Sequence, residues 1–112
     1  MIEKILLDYL NENLGNVKAY AERPKNPPEE YVLLEKTGGG MENLIFNSLI
    51  TIQSYSDTLL HTAQLNDRVV SIILNALELP EITWVDLNSS YNYTDTGSKQ
   101  YRYQAVFDVK HY

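Results

Sequence analysis

The hydrophobic and polar positions of the last fifteen residues alternate almost without a break. Tyr101, Tyr103, Ala105, Phe107 and Val109 share one face, and Gln100, Arg102, Gln104, Asp108 and Lys110 the other, with Val106 the only apolar intruder. A period of two predicts a half-buried strand. Twelve residues of strand span roughly 40 Å, whereas a compact domain of this length is roughly 34 Å across. Either the strand twists hard or its end runs past its own core, and the second case would make it an assembly strand.

The rest of the chain divides by the same reading. Ile2, Ile5, Leu6, Tyr9 and Leu10 form a helical stripe, which predicts a helix over 2–14 with Gly15 in a left-handed cap. A short strand is expected over 17–21. Three of the four prolines fall in residues 22–30, which predicts a stiff, extended surface loop. Residues 31–37 read as a strand, and Gly38, Gly39 and Gly40 as a flexible hairpin tip. A second long strand follows over 43–55. Leu44, Phe46, Ser48, Ile50 and Ile52 point one way, and Ile45, Asn47, Leu49, Thr51, Gln53 and Tyr55 the other. The next helix starts near Ser56 or Asp57, both good caps, and ends before Pro80. Its expected buried stripe is Leu59, Ala63, Val70, Ile73, Leu74 and Leu77, widened by Leu60, Val69 and Ile72. Residues 82–87, with the only Trp, Trp84, form a strand; 88–98 form a polar connection with Gly97 as turn residue.

The order α-β-β-β-α-β-β indicates an α+β fold in one domain, residues 1–112. The expected architecture is a mostly antiparallel sheet of about five strands with two helices on one face. The alternation of the terminal strand leaves the other face to water or a partner.

Composition narrows the chemistry. The chain of 112 residues has no Cys, so it carries no disulfide and no thiolate site, which fits a reducing compartment. The amino terminus is too short and too charged to read as a signal peptide. No apolar run approaches the ~20 residues of a membrane span. A net charge of −6 argues against general nucleic-acid binding, which needs clustered cations; beside the tyrosines near the end, only Lys99 and Arg102 are close. Nine tyrosines suit interfaces as well as cores.

Each chemical motif has an ordinary reading. Asp95-Thr96-Gly97-Ser98 matches the catalytic loop of aspartic proteases, in which two carboxylates share a proton. Here it occurs once and late, after a polar rather than apolar run, so a hairpin turn accounts for it. Gly38–Gly40 precedes a strand rather than a helix N-terminus, unlike a phosphate loop. His61 and His111, with Asp57 or Asp108, lack metal-ligand spacing. Asn88-Ser89-Ser90 and Asn92-Tyr93-Thr94 match the glycosylation sequon but read as polar loop. The helical stripes read as core rather than cofactor contacts. No catalytic residue, metal ligand or cofactor site is expected. Tyr91 and Tyr93, set in a polar stretch, are interface candidates.

Three runs together resemble a family. They are Tyr20 to Val32 with its prolines, Ile52-Gln53-Ser54-Tyr55-Ser56 leading into a helix with Ala63, Leu65 and Val69, and Tyr91 to Asp95 followed by Tyr101 to Phe107. They are similar to small structural proteins of siphophages and prophages of Gram-positive hosts: tail terminators, tail-completion and head–tail joining proteins. The resemblance spans nearly the whole chain, through diffuse structural patterns rather than catalytic signatures. It implies a lambda-type tail-terminator fold and a non-enzymatic, homo-hexameric ring at the head-proximal end of the tail. Its partners would be the tail tube protein and the head–tail connector. DNA would pass through without specific binding, and no membrane is involved; the net charge of −6 per copy agrees, since an acidic lining would repel DNA and let it slide. Such a protein would act in the host cytoplasm during assembly and then in the virion tail or neck. By loop position, Pro24, Pro27, Pro28, Gly38, Gly39, Gly40, Met41, Tyr91 and Tyr93 are candidates for ring and tube contacts. The far end of the terminal strand, Lys110 to Tyr112, is a further candidate, and its deletion is expected to weaken assembly more than folding. A head-completion or minor capsid protein is the alternative. A small dimeric aspartic-type protease and a generic intracellular interaction domain are the remaining readings.

Overall fold

The structure is a computed structural model that describes residues 1–98 and 100–112. Two helices cover one face of a five-stranded sheet. The elements in chain order are α1 (Ile2–Asn13), β1 (Lys18–Tyr20), β2 (Tyr31–Glu42), β3 (Ile45–Tyr55), α2 (Leu59–Leu74), a 3₁₀ turn (Asn75–Glu78), β4 (Ile82–Asn92) and β5 (Arg102–His111). The strands lie in the order β1-β2-β3-β5-β4. Only β1 and β2 run parallel; the other neighbours are antiparallel. The α+β architecture expected from the hydrophobic pattern is the one observed.

The core forms where the apolar face of each element meets the others. From α1 come Leu6, Leu10 and Tyr9, from β2 Val32 and Leu34, from β3 Ile50 and Ile52, and from β5 Ala105, Phe107 and Val109. Gly15 adopts φ +75°, the left-handed conformation foreseen at the end of the first helix. Arg68 of α2 donates to the Leu14 carbonyl at 2.6 Å, so a cation satisfies an orphan acceptor at that helix end. Asn11 clamps β1 with its side-chain amide, accepting from Ala19 N at 2.8 Å and donating to Ala19 O at 3.1 Å. The outer edge of β1 is thereby occupied. The Tyr9 hydroxyl donates to Asn75 O and Glu78 Oε1. Burial, then the neighbouring Glu78, holds its phenol above the ordinary range.

Four expectations need correction. The glycine triplet is not a tip. Gly38, Gly39 and Gly40 lie within β2, paired to Leu49, Ser48 and Asn47. The turn comes later, at Asn43 and Leu44, both with positive φ (52° and 66°). That is the two-residue hairpin geometry whose twist matches the strands. Register decides this, because Glu42 pairs with Ile45.

The second helix begins at Thr58, whose hydroxyl accepts from His61 N at 3.1 Å, rather than at Ser56 or Asp57. Its buried face is Thr62, Leu65, Asn66, Val69 and Ile73, while Leu59, Leu60, Leu74 and Leu77 are exposed. Leucines ring this helix, so periodicity alone selects the wrong line. Thr62 donates to Thr58 O and Asn66 donates to Ser90 Oγ, while the Asn66 side-chain oxygen is buried without a hydrogen-bond partner among the described residues.

The fifth strand is no assembly strand. It lies between β3 and β4, paired along both edges, and offers no free backbone. His111 is buried, with Nε2 2.7 Å from Ser48 Oγ, and Tyr112 N donates to Glu81 O at 3.1 Å. The fourth strand, finally, runs on through Asn92, so Tyr91 sits on a strand rather than in a loop.

The size paradox of the strands resolves in the shape. The molecule measures 44 × 25 × 24 Å. A strand as long as β2 spans about 40 Å and fits only along the long axis. The β2–β3 hairpin outruns the helical layer, and most of its side chains from Glu35 to Asn47 are exposed or half-buried.

Candidate assembly surface

The sheet face away from the helices carries most of the distinctive side chains. A band of rings and amides crosses all five strands there. Tyr20 on β1 meets Tyr31 on β2 edge-on, centroids 6.4 Å apart. Tyr31 stacks on Tyr55 of β3 at 4.6 Å. The Tyr55 hydroxyl donates to Gln53 at 2.9 Å, and Gln53 donates to Gln104 of β5 at 2.8 Å. Gln104 in turn donates to the Tyr91 hydroxyl on β4. Tyr91 meets Tyr93 edge-on at 5.9 Å, and the Arg102 guanidinium covers the Tyr93 ring at 4.4 Å. Strand alternation places these residues on one face, and register brings them level. Tyr31 is buried, and this burial pushes its phenol above the ordinary range, against a smaller opposing pull from Arg23 and Arg102. Tyr91 and Tyr93 remain exposed. The tyrosines thus split between support and surface.

The interface candidates fall at opposite ends of the sheet. Tyr31, Tyr55 and Arg102 lie in neighbouring positions of three strands. The proline loop leads into the first of them and the segment from Tyr93 to Tyr101 leads into the last, so both loops share this end. Pro24 and Pro27 are half-buried and Pro28 is exposed. Tyr91 and Tyr93 lie toward the same end. The other end holds Met41, the Asn43–Leu44 turn, Lys110 and Tyr112, with Gly38, Gly39 and Gly40 on the arm that leads to it. Leu44 is 82% exposed and Met41 59%. Two concavities flank this second end. One of about 400 Å³ is lined by Glu42, Asn43, Ile45, Asn47 and Lys110. The other, about 260 Å³, lies among Met1, Ile2, Ile5, Phe46, His111 and Tyr112.

The alternative chemistries meet plain geometry. The Asp95 carboxylate accepts from Gly97 N at 3.0 Å and Ser98 Oγ at 2.9 Å, which is a side-chain-closed turn. The Ser98 bond, then the Gly97 amide, holds it below the usual carboxylate range. Gly38–Gly40 is extended and hydrogen-bonded strand, so it cradles no phosphate. His61 opens α2 beside the proline-loop end, where its Nδ1 lies 2.7 Å from Asp57, whereas His111 lies at the hairpin end. The two do not converge. Among the described residues no three His, Cys, Asp or Glu side chains group as metal ligands. Lys99 lies outside the described residues.

Three features escaped the sequence reading. The first is the Ser48–His111 pair under a Phe46 ring stacked 5.5 Å from the imidazole. His111 is the next alternate position after Val109, so alternation itself would have turned it inward. Ser48 is 1% exposed, so its hydroxyl is a buried structural group rather than an accessible nucleophile. The second is Leu44 at the arm's tip. The third is Trp84, half-exposed on the outermost strand. In comparisons with known proteins, no family model and no curated protein matches this chain.

Proposed function

We propose that this chain is a non-enzymatic subunit of a self-assembling ring, a tail terminator or head–tail joining protein at the head-proximal end of a phage tail. The observation that carries the assembly part is Leu44. A leucine in the left-handed region costs about 1–2 kcal/mol that glycine would not. None of the described residues covers it, since it is 82% exposed. A strained, apolar, fully presented tip supports a role in contact with another molecule. The resemblance of the sequence to small phage tail proteins supplies the identity of the assembly.

The placement of the other candidates supports the same reading. A ring between tube and connector needs an axial surface at each end, and the proline loop and the hairpin tip lie at opposite ends of one sheet. Tail tube protein and connector are the proposed axial partners, and the net charge of −6 per copy suits a channel through which DNA slides. Among the described residues no helix is long and apolar enough to cross a membrane. The proposed setting is the host cytoplasm during assembly and then the virion.

Leu44→Gly tests the reading. It relieves the turn, so the monomer should gain a few tenths to about 1 kcal/mol in urea unfolding. Ring formation, read as solution mass, or capping of purified tail tubes should fall roughly tenfold or more. A stabilised variant that assembles and caps like the parent would remove the tip from the interface.

A further inference from the structure

The sheet is open at both sides, and its two free edges are complementary. β4 is the outermost strand on one side, paired only to β5. On the other side β1 covers β2 only as far as Leu33, so residues 34–42 present a free edge. Exposed edges are ordinarily blunted by Lys, Pro or bulges. β4 contains neither Lys nor Pro in its 11 residues. Its two bulges, at Thr83 and Asn88, bracket a regular run from Trp84 to Leu87.

We infer that β4 of one copy pairs with the free half of β2 in the next, so that a continuous sheet runs around the ring. This deepens the ring reading and rests on it. Strand polarity supports it. β2, β3, β5 and β4 alternate in direction across the sheet. A neighbour related by rotation about an axis along the strands therefore sets its β2 antiparallel to β4. Its helices stay on the same side. This contact is heterologous and closes into a ring, whereas a two-fold contact would pair β4 with β4.

Register says which residues meet. Gly40, Asn47, Lys110 and Trp84 form one row across the sheet. Gly38 is level with Asp86, and Gly39 with Val85. A ring has no rise between copies, so Trp84 of one copy comes to Gly40 of the next. A side chain built at Gly40 would meet nothing within 4 Å, and its φ is not positive. The monomer therefore has no need of glycine there. Glycine within a strand suits the close approach of another backbone. Beside Gly40 lies the concavity of about 400 Å³ lined by Asn47 and Ile45. The indole of Trp84, 52% exposed in the monomer, fills that space, as a Trp anchor does at the centre of an interface.

The natural chain has no Cys, so engineered pairs report directly. Glu35 and Ser89 occupy one row of the open face, and paired antiparallel strands hold Cα atoms within disulfide range. Oxidation of the Glu35→Cys/Ser89→Cys double variant should give covalent multimers up to the closed ring. An equal mixture of the two single variants should give heterodimers, and each single variant alone none. Gly40→Lys should melt with the parent and lose assembly roughly tenfold or more. Native mass spectrometry read alongside separates the two levels. A ring without the 35–89 bond overturns the edge pairing and leaves the ring reading standing. A chain that stays monomeric, with or without tail tubes, overturns both. Homodimers of Ser89→Cys, or a Gly40→Lys variant that assembles normally, overturn the pairing.

Discussion

At the residue scale, the clearest electrostatic device is the Asp57–His61 pair at the start of α2. The ring nitrogen and carboxylate lie 2.7 Å apart, and both groups are exposed. Asp57 holds His61 above its ordinary value of 6.5, with Glu30 and Glu29 adding to the effect. His61 in turn holds Asp57 below 3.8. A raised imidazole contributes stability that is complete below its unfolded value and is lost as pH rises through the folded one. A depressed carboxylate contributes stability that is present above its unfolded value and is lost as pH falls. The pair therefore helps between about pH 4 and pH 6.5, and weakly, because water and salt screen it. His61→Gln should lower the urea midpoint most near about pH 5 and hardly at all by about pH 8. A difference independent of pH would mean that the ring packs rather than pairs. The partner at i−4 follows once the cap is known to be Thr58.

At the element scale, the β2–β3 arm separates what the fold needs from what it tolerates. A methyl at Gly39 would lie 2.8 Å from the Asn47 carbonyl oxygen, a backbone atom that cannot move without breaking the ladder. At Gly40 it would meet nothing within 4 Å. Gly39→Ala should therefore destabilise by about 1–3 kcal/mol. Gly40→Ala should leave stability unchanged or raise it by about 0.5–1 kcal/mol, because alanine loses less entropy in a strand. Thermal or urea unfolding of the isolated variants checks both, and equal losses would show that the arm tolerates no side chain on either face. The triplet marks this arm plainly in the sequence. Only register says that it is strand, since three glycines suit a turn and an edge equally well.

At the scale of the whole molecule, the carboxyl terminus is a structural tie. His111 bonds Ser48 and stacks on Phe46 of β3, and Tyr112 N bonds the carbonyl of Glu81, the residue just before β4. Removing residues 110–112 should cost the fold about 3 kcal/mol, from the lost burial of His111 and the orphaned Ser48 hydroxyl. Tyr112→Ala, which trims a side chain 71% exposed, should stay within about 0.5 kcal/mol. Comparing their unfolding midpoints with their assembly separates the exposed ring from the buried imidazole. The sequence suggested that deletion weakens assembly more than folding; buried His111, one step beyond the alternating run that revealed the strand, adds a folding cost to that deletion.

Local pattern by itself determined the element order, the fold class, the inward face of β5, the glycine cap after α1 and the turn character of Asp95 to Ser98. Each depends on periodicity or on the conformational preference of a single residue, and those act over a few positions. Only the tertiary structure decided that β5 is internal and that β4 and the distal half of β2 are the open edges. It alone set the tyrosine–glutamine band level across five strands and turned α2 about its axis. These are matters of which strand lies beside which, and in what register. Hydrogen bonds between distant segments and the filling of one shared core settle them, and no window of neighbouring residues contains that information.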